Sequence, residues 1–256
     1  MEMPDVNATP ISQYSQEPYN LSETVLKKEI PAARDNVPRL LHRLAKRRGR
    51  FTFVDSLPPK STVLDIGCGN NSPMYFKTHR PDCYYIGLDV GDYNQDARSK
   101  DFADEYVLTK PDQFPSAILR FQNQMDAVIS NHNLEHCDAP VDVLAAMIKC
   151  LKPGGRLYLA TPCEESVRFP KRKGTLNFFD DHTHKTVINW GETISKIAQE
   201  GLAVEFLAKR YRPLPLATIG ILLEPGSALL RKLAPASTTW SLYGFESVIW
   251  AYRPKE

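Results

Sequence analysis

The stretch Val63-Leu64-Asp65-Ile66-Gly67-Cys68-Gly69-Asn70-Asn71-Ser72 decides how this chain folds. A short, nearly continuous apolar run suits a strand buried on both faces of a parallel sheet, and the glycines behind it let the backbone turn sharply beside a ligand. Downstream the pattern recurs at Tyr84–Leu88, Tyr106–Leu108, Ala127–Ile129 and Arg156–Ala160, with gaps long enough for crossover helices. The clearest of these helices is Val141–Leu151: Pro140 introduces it, apolar residues recur at helical spacing, and Pro153-Gly154-Gly155 stops it. Another runs from Trp190 to Glu200, with Gly201 where a C-terminal cap favours positive φ. The layout is α/β.

Two later runs, Ala203–Lys209 and Phe245–Tyr252, read as strands without room between them for a crossover helix of ordinary pattern, so they are expected to pair antiparallel. The intervening Tyr211–Ser241 is interrupted by Pro213, Pro215, Gly220, Pro225, Gly226 and Pro235, yet carries many leucines. It reads as an inserted lid or a contact between subunits of a homo-oligomer, or as a structural flap. Upstream, Leu21–Glu29 and Val37–Arg48 read as short helices, the second with Arg39, Arg43, Arg47 and Arg50 clustered away from its apolar face. That cluster is either a handle for an anionic partner or a solvated face.

Composition bounds the function. The chain has 256 residues, with 32 Lys+Arg against 30 Asp+Glu, a net charge of +2. With 42% apolar and 24% charged residues it matches folded globular proteins rather than disordered or fibrous chains. Charge balance leaves no strongly basic face for nucleic acid. No apolar stretch is long enough for a membrane span, and the N-terminus lacks the pattern of a secretory signal. Five cysteines without a CxxC pair are expected to be free thiols in a reducing, cytoplasmic setting.

The Gly-x-Gly turn is a weak signal alone, because a dinucleotide site usually has a third glycine where this chain has Ser72. Its N–H groups are expected to be free to hold an anionic group. Asp65 sharpens the reading: a carboxylate two residues before Gly67 would repel a pyrophosphate and suits an ammonium group. Asp89, at the end of the second strand, can accept both hydroxyls of a ribose. A nucleoside carrying an amino acid satisfies both carboxylates, and that ligand is S-adenosylmethionine.

With these motifs together, the chain resembles the class I S-adenosylmethionine-dependent methyltransferases over about Phe51 to Gly201. The carrying residues are Asp65-Ile66-Gly67-Cys68-Gly69, Gly87-Leu88-Asp89, Asp126 to His136, and Leu151 to Pro162. The resemblance implies a doubly wound, mostly parallel seven-stranded sheet, the Rossmann-like methyltransferase fold, with an antiparallel C-terminal hairpin. Residues 1–50 are then an N-terminal helical extension, and residues 51–256 the methyltransferase domain with 211–241 inserted. The expected cofactor-binding set is Asp65, Gly67, Cys68, Gly69, Asp89, Val90, Ser130 and Asn131. Where the family usually has a further glycine this chain has Asn71.

Transfer to a hydroxyl requires loss of its proton, and a neutral histidine near the methyl can take it. Candidates are His132 and His136 after the fourth strand, and His182 and His184 after the fifth, both loops lying where ligands of open α/β sheets bind. His132 to His136 also spells H-x-x-E-H, a zinc-protease signature when carried on a helix. Resemblance to quinone-biosynthesis O-methyltransferases implies instead a divalent metal at His132, Glu135 and His136. The pair Glu135-His136 also suits a purely structural role.

The expected activity is O-methylation of a small polar or glycan-type acceptor in a biosynthetic pathway. An RNA or lipid-headgroup methyltransferase, using Arg39–Arg50 and Lys171-Arg172-Lys173 as phosphate contacts, is one alternative. A non-catalytic binding module of the same fold is another.

Overall fold

The structure is a computed structural model, and it describes residues 45–96, 98–233 and 235–255. Most of the expected 1–50 extension, with both upstream helices except the end of the second, lies outside the described residues. The chain enters through helix α1 (Arg50–Asp55), then β1 (Thr62–Ile66), α2 (Ser72–His79), β2 (Tyr84–Asp89), β3 (Glu105–Leu108), α3 (Phe114–Leu119) and β4 (Met125–Asn131). There follow α4 (Pro140–Lys149), β5 (Leu151–Pro162), α5 (Trp190–Gln199), β6 (Ala203–Ala208), α6 (Leu214–Leu230), α7 (Ala236–Tyr243) and β7 (Glu246–Tyr252).

The seven strands form one sheet in the order β3-β2-β1-β4-β5-β7-β6. Strands β1 to β5 run parallel, and β7 inserts antiparallel between β5 and β6. The strand order reverses between β1 and β4, the crevice where ligands of doubly wound sheets bind. Register fixes the crevice: Ile66 pairs with Leu88 on one side and with Ser130 on the other. Gly67, Asp89 and Asn131 therefore leave the sheet at one level.

Two cores cover the sheet faces, and β1 alternates between them. Leu64 and Ile66 pack in the cluster that holds Ile118 of α3 and Val143, Met147 and Ile148 of α4. Val63 packs oppositely, with Phe53 of α1, Phe76 of α2, Tyr85, Tyr158 and Trp250. Because side chains alternate along a strand, Asp65 faces this second, aromatic side.

The antiparallel pairing of the last two strands is as expected, but the connection between them is not. Two helices, α6 and α7, fill Tyr211–Ser241 where the Pro and Gly content argued against a helix of ordinary pattern. Pro213 and Pro215 sit at the start of α6, where an N–H has no helical partner in any case. Gly220 is buried because α7 crosses there, and a Cβ on it would lie 2.5 Å from the carbonyl oxygen of Thr238. Pro225 is inside the helix, yet its neighbours still wind as helix. A smaller shift occurs earlier: α4 ends at Lys149 and Leu151 already belongs to β5.

Candidate active site

At the end of β1, Gly67 adopts φ +74°, and a side chain there would meet Asn133 within 2.6 Å, so only glycine fits. Cys68 is fully buried beneath Gly87, and burial pushes its thiol far above the ordinary range, so it is not a nucleophile. The turn's N–H groups are not free as expected. Asn70 N–H donates to the carbonyl of Tyr93 at 2.9 Å, Asn71 N–H to Gln95 Oε1 at 3.0 Å, and Gln95 Nε2 reaches back to the Cys68 carbonyl at 2.7 Å. The chain after β2 folds over the turn and takes those donors itself. Asn70 and Asn71 are both left-handed, a conformation that asparagine tolerates.

Asp65 is 1% exposed and already occupied. Its Oδ2 accepts from Arg50 Nη2 at 2.6 Å and from the Tyr85 hydroxyl at 2.6 Å. Arg50 also donates to Ser72 Oγ at 3.2 Å. An ammonium group would thus share Asp65 with a guanidinium, and Arg50 adds a cation to the site that reading by motif missed. The signal was faint: one arginine within a basic run, 15 residues from its partner in sequence.

Asp89 lies buried at the end of β2, with Val90 following it at the edge of the core. Its Oδ1 accepts from the Val90 N–H at 2.7 Å. Burial raises its carboxyl to about 6, against the pull of backbone donors from Val90, Gly69 and Gly91. At the end of β4, Ser130 is fully buried and its Oγ has no partner, nor has Nδ2 of nearby Asn133. Asn131 follows, half-buried. Orphaned buried polar atoms at the ends of the central strands fit a polar ligand that would satisfy them. S-adenosylmethionine meets that requirement, with hydroxyls, an ammonium and a carboxylate.

The histidines divide. His132 adopts φ 54° and has both ring nitrogens engaged: Nδ1 lies 3.2 Å from Glu135 Oε1 and Nε2 3.1 Å from Glu246 Oε1. Burial alone would lower its pKa, but the two carboxylates outweigh that and raise it to about 9. In the same pair Glu246, which burial would raise, is held at about 2 by Lys46 and His132. His132 thus lies between two carboxylates, its ring 5.2 Å from that of Trp240 and 6.1 Å from that of Phe245, with both nitrogens already engaged.

His136 Nδ1 lies 3.2 Å from the Thr183 carbonyl and 3.0 Å from its hydroxyl. His184 Nδ1 lies 2.6 Å from the Phe178 carbonyl, with its ring 4.8 Å from that of His136. A backbone carbonyl can only accept, so Nδ1 is the side of each ring turned to its carbonyl, and His184 Nε2 lies 3.8 Å from Asp181 Oδ2. His182 is exposed on the same loop and is not brought to this cluster.

The metal set expected at His132, Glu135 and His136 is not what the fold gathers. Glu135, His136 and His184 have donor atoms within 4.8 Å of one another, whereas both nitrogens of His132 are taken. Glu135 is fully buried and its Oε2 has no partner. Leu134–His136 is a single 3₁₀ turn, not the helix that a zinc-protease signature requires.

A family model described as a methyltransferase domain matches residues 28–204. The chain belongs to this family. It is a class I S-adenosylmethionine-dependent methyltransferase, an enzyme whose family uses that cofactor. It is 28% identical over 169 residues to a malonyl-[acyl-carrier protein] O-methyltransferase of Enterobacter lignolyticus, an alignment covering 64% of each chain. It is 30% identical over 124 residues to a sterol 24-C-methyltransferase of Schizosaccharomyces pombe, covering 47% of this chain and 31% of that one. The methyltransferase thus spans less than two thirds of the length of these curated relatives. Among solved structures, a methyltransferase complex with an activator from Haloferax volcanii superposes with a TM-score of 0.55 at 18% identity, covering 84% of this chain and 92% of that one. A methyltransferase of Mesorhizobium loti superposes at 0.53 with 15% identity, over 79% and 96%. Both similarities establish the fold.

Proposed function

We propose that this methyltransferase transfers the methyl group of S-adenosylmethionine to a hydroxyl oxygen of a small polar or glycan-type acceptor, with His136 as the base. The observation that supports the reading is the contact of His136 Nδ1 with the Thr183 carbonyl and hydroxyl, which orients the ring and leaves Nε2 to act as the base. The relative named for O-methylation supports oxygen, while the sterol 24-C-methyltransferase supports carbon as the acceptor atom to test against it.

When bound, the cofactor supplies a methyl group already activated by its sulfonium. The residues align and shield. Asp89, with Val90 beside it, would accept the ribose hydroxyls, Asp65 and Arg50 would hold the ammonium and carboxylate of the methionine portion, and Gly67, Cys68 and Gly69 would lie against it. Ser130 and Asn131 line the reacting end. Much of the barrier falls by holding the acceptor oxygen in line with methyl and sulfur in a site that excludes water. His136 Nε2 takes the hydroxyl proton as the oxygen gains the methyl group.

A turnover assay with a labelled methyl donor and a panel of polyols, sugars and phenols tests this reading. His136→Asn should lower turnover about 100-fold with unchanged cofactor affinity, a typical loss for a general base. Full activity in His136→Asn removes the base assignment, and label appearing only on carbon or nitrogen removes the oxygen.

The orphaned Oε2 of Glu135 favours a second reading, in which Glu135, His136 and His184 hold a divalent cation. The ion would polarise an acceptor oxygen and lower its pKa, with His136 as ligand rather than base. Its test is chelation: activity lost with a chelator and restored by the metal supports it, and activity indifferent to chelation removes it.

A further inference from the structure

Helix α6 presents an outer side without charge. At 100° per residue, buried Gly220 and Ser227 mark the inner side, the opposite half carries Leu214, Ile221, Leu222 and Leu229, and exposed Ile219 and Leu230 flank it. Leu214, Leu222 and Leu229 are 77%, 80% and 84% exposed. Glu224, the only charged residue of the helix, turns back to Arg172 at 2.9 Å and to the Tyr243 hydroxyl at 2.6 Å. A helix apolar on its solvent side is unusual and marks a docking surface.

The rim of that surface identifies its occupant. Arg231 and Lys232 close the C-terminal end of α6, and a backbone bridge from Lys173 to Lys232 brings Lys171 and Lys173 alongside. All four are exposed, and among the described residues none has an acidic partner. Exposed Arg212 precedes the other end. A second copy of this chain laid on the helix would bring basic end to basic end, whether parallel or antiparallel. Anionic lipid headgroups neutralise both ends while the acyl boundary takes the leucines. Helix α6 itself does not span. At 17 residues α6 is about 25 Å long, shorter than the hydrocarbon core, and no described helix is long and apolar enough to cross a membrane. Its inner side is also committed to α7, at Gly220 against Thr238.

We propose that α6 is an interfacial helix by which this methyltransferase docks on an anionic membrane surface. The inference goes beyond the acceptor reading and does not depend on it.

The test is co-sedimentation of the full chain with vesicles of phosphatidylcholine alone or mixed with phosphatidylglycerol. The expected result is binding to the mixed vesicles, weaker binding to the neutral ones, and loss as salt rises. A Leu222→Glu, Leu229→Glu double variant should bind at least tenfold more weakly and still bind S-adenosylhomocysteine. A Lys171→Glu, Lys232→Glu variant should lose about tenfold or more on anionic vesicles alone. Should the leucine variant fold poorly, an environment-sensitive label at Leu222→Cys should shift to the blue on anionic vesicles. Absence of binding at low salt, undiminished binding by the leucine variant, or an unshifted label overturns the proposal. So do a dimer in sedimentation that the leucine variant dissociates without any vesicle binding, and cross-links from residues 1–44 to α6 that persist on vesicles.

Discussion

Asp89 is held with its carboxyl near 6 because burial disfavours the charge that a ribose needs as acceptor. Below that pH the group is protonated and a poorer acceptor, so S-adenosylhomocysteine affinity should rise from pH 5 to 7 and then level. Calorimetry across that range checks it, and Asp89→Asn should flatten the dependence. Asp89→Ala should weaken binding about 10- to 100-fold, the loss expected for hydrogen bonds to a charged group. His132 makes a different prediction. Removing the ring from between Glu135 and Glu246 leaves fully buried Glu135 without that partner, while Glu246 keeps Lys46 at 3.3 Å. His132→Ala should therefore cost about 3–5 kcal/mol of stability in urea titration, as breaking a buried ion pair does. Asp89 was legible as a carboxylate at a strand end, whereas the state of His132 was not. Glu246 lies 114 residues away in sequence, and no motif links them.

Elements were legible where hydrophobic periodicity was uninterrupted. Strands β1, β2 and β4 and helices α4 and α5 stand within a few residues of their expected places. Helix α5 even announces its start, because Asn189 caps the Glu192 N–H at 2.9 Å. Helix α6 was hidden because its prolines and glycines are breakers by local propensity, and packing against α7 overrides that propensity. Gly220 is the residue that permits the crossing. Gly220→Ala places a Cβ 2.5 Å from Thr238 O and 2.9 Å from Leu242 Cβ, so it should cost about 1–3 kcal/mol as overpacking does. Chemical denaturation measures that loss.

For the whole molecule, ligand binding to the folded state alone is linked to stability. At a hundredfold excess over Kd, S-adenosylhomocysteine should add about 2.7 kcal/mol, raising Tm by about 5–10 °C, and the Asp89→Ala variant should show far less. Differential scanning calorimetry reads both. The sequence by itself determined the α/β class and the buried strands of the parallel core, because strand burial and glycine turns are local properties written in consecutive residues, whereas strand order and register brought Gly67, Asp89 and Asn131 to one crevice. Only the tertiary structure decided which groups are already spent. Arg50 takes Asp65, the loop after β2 takes the turn's N–H donors, and Glu246 takes the second nitrogen of His132. It also turned His184 rather than His182 toward His136, and left one side of α6 apolar and open. Each of these depends on residues distant in the chain meeting at a few ångströms, and such meetings are set by packing, which no local pattern records.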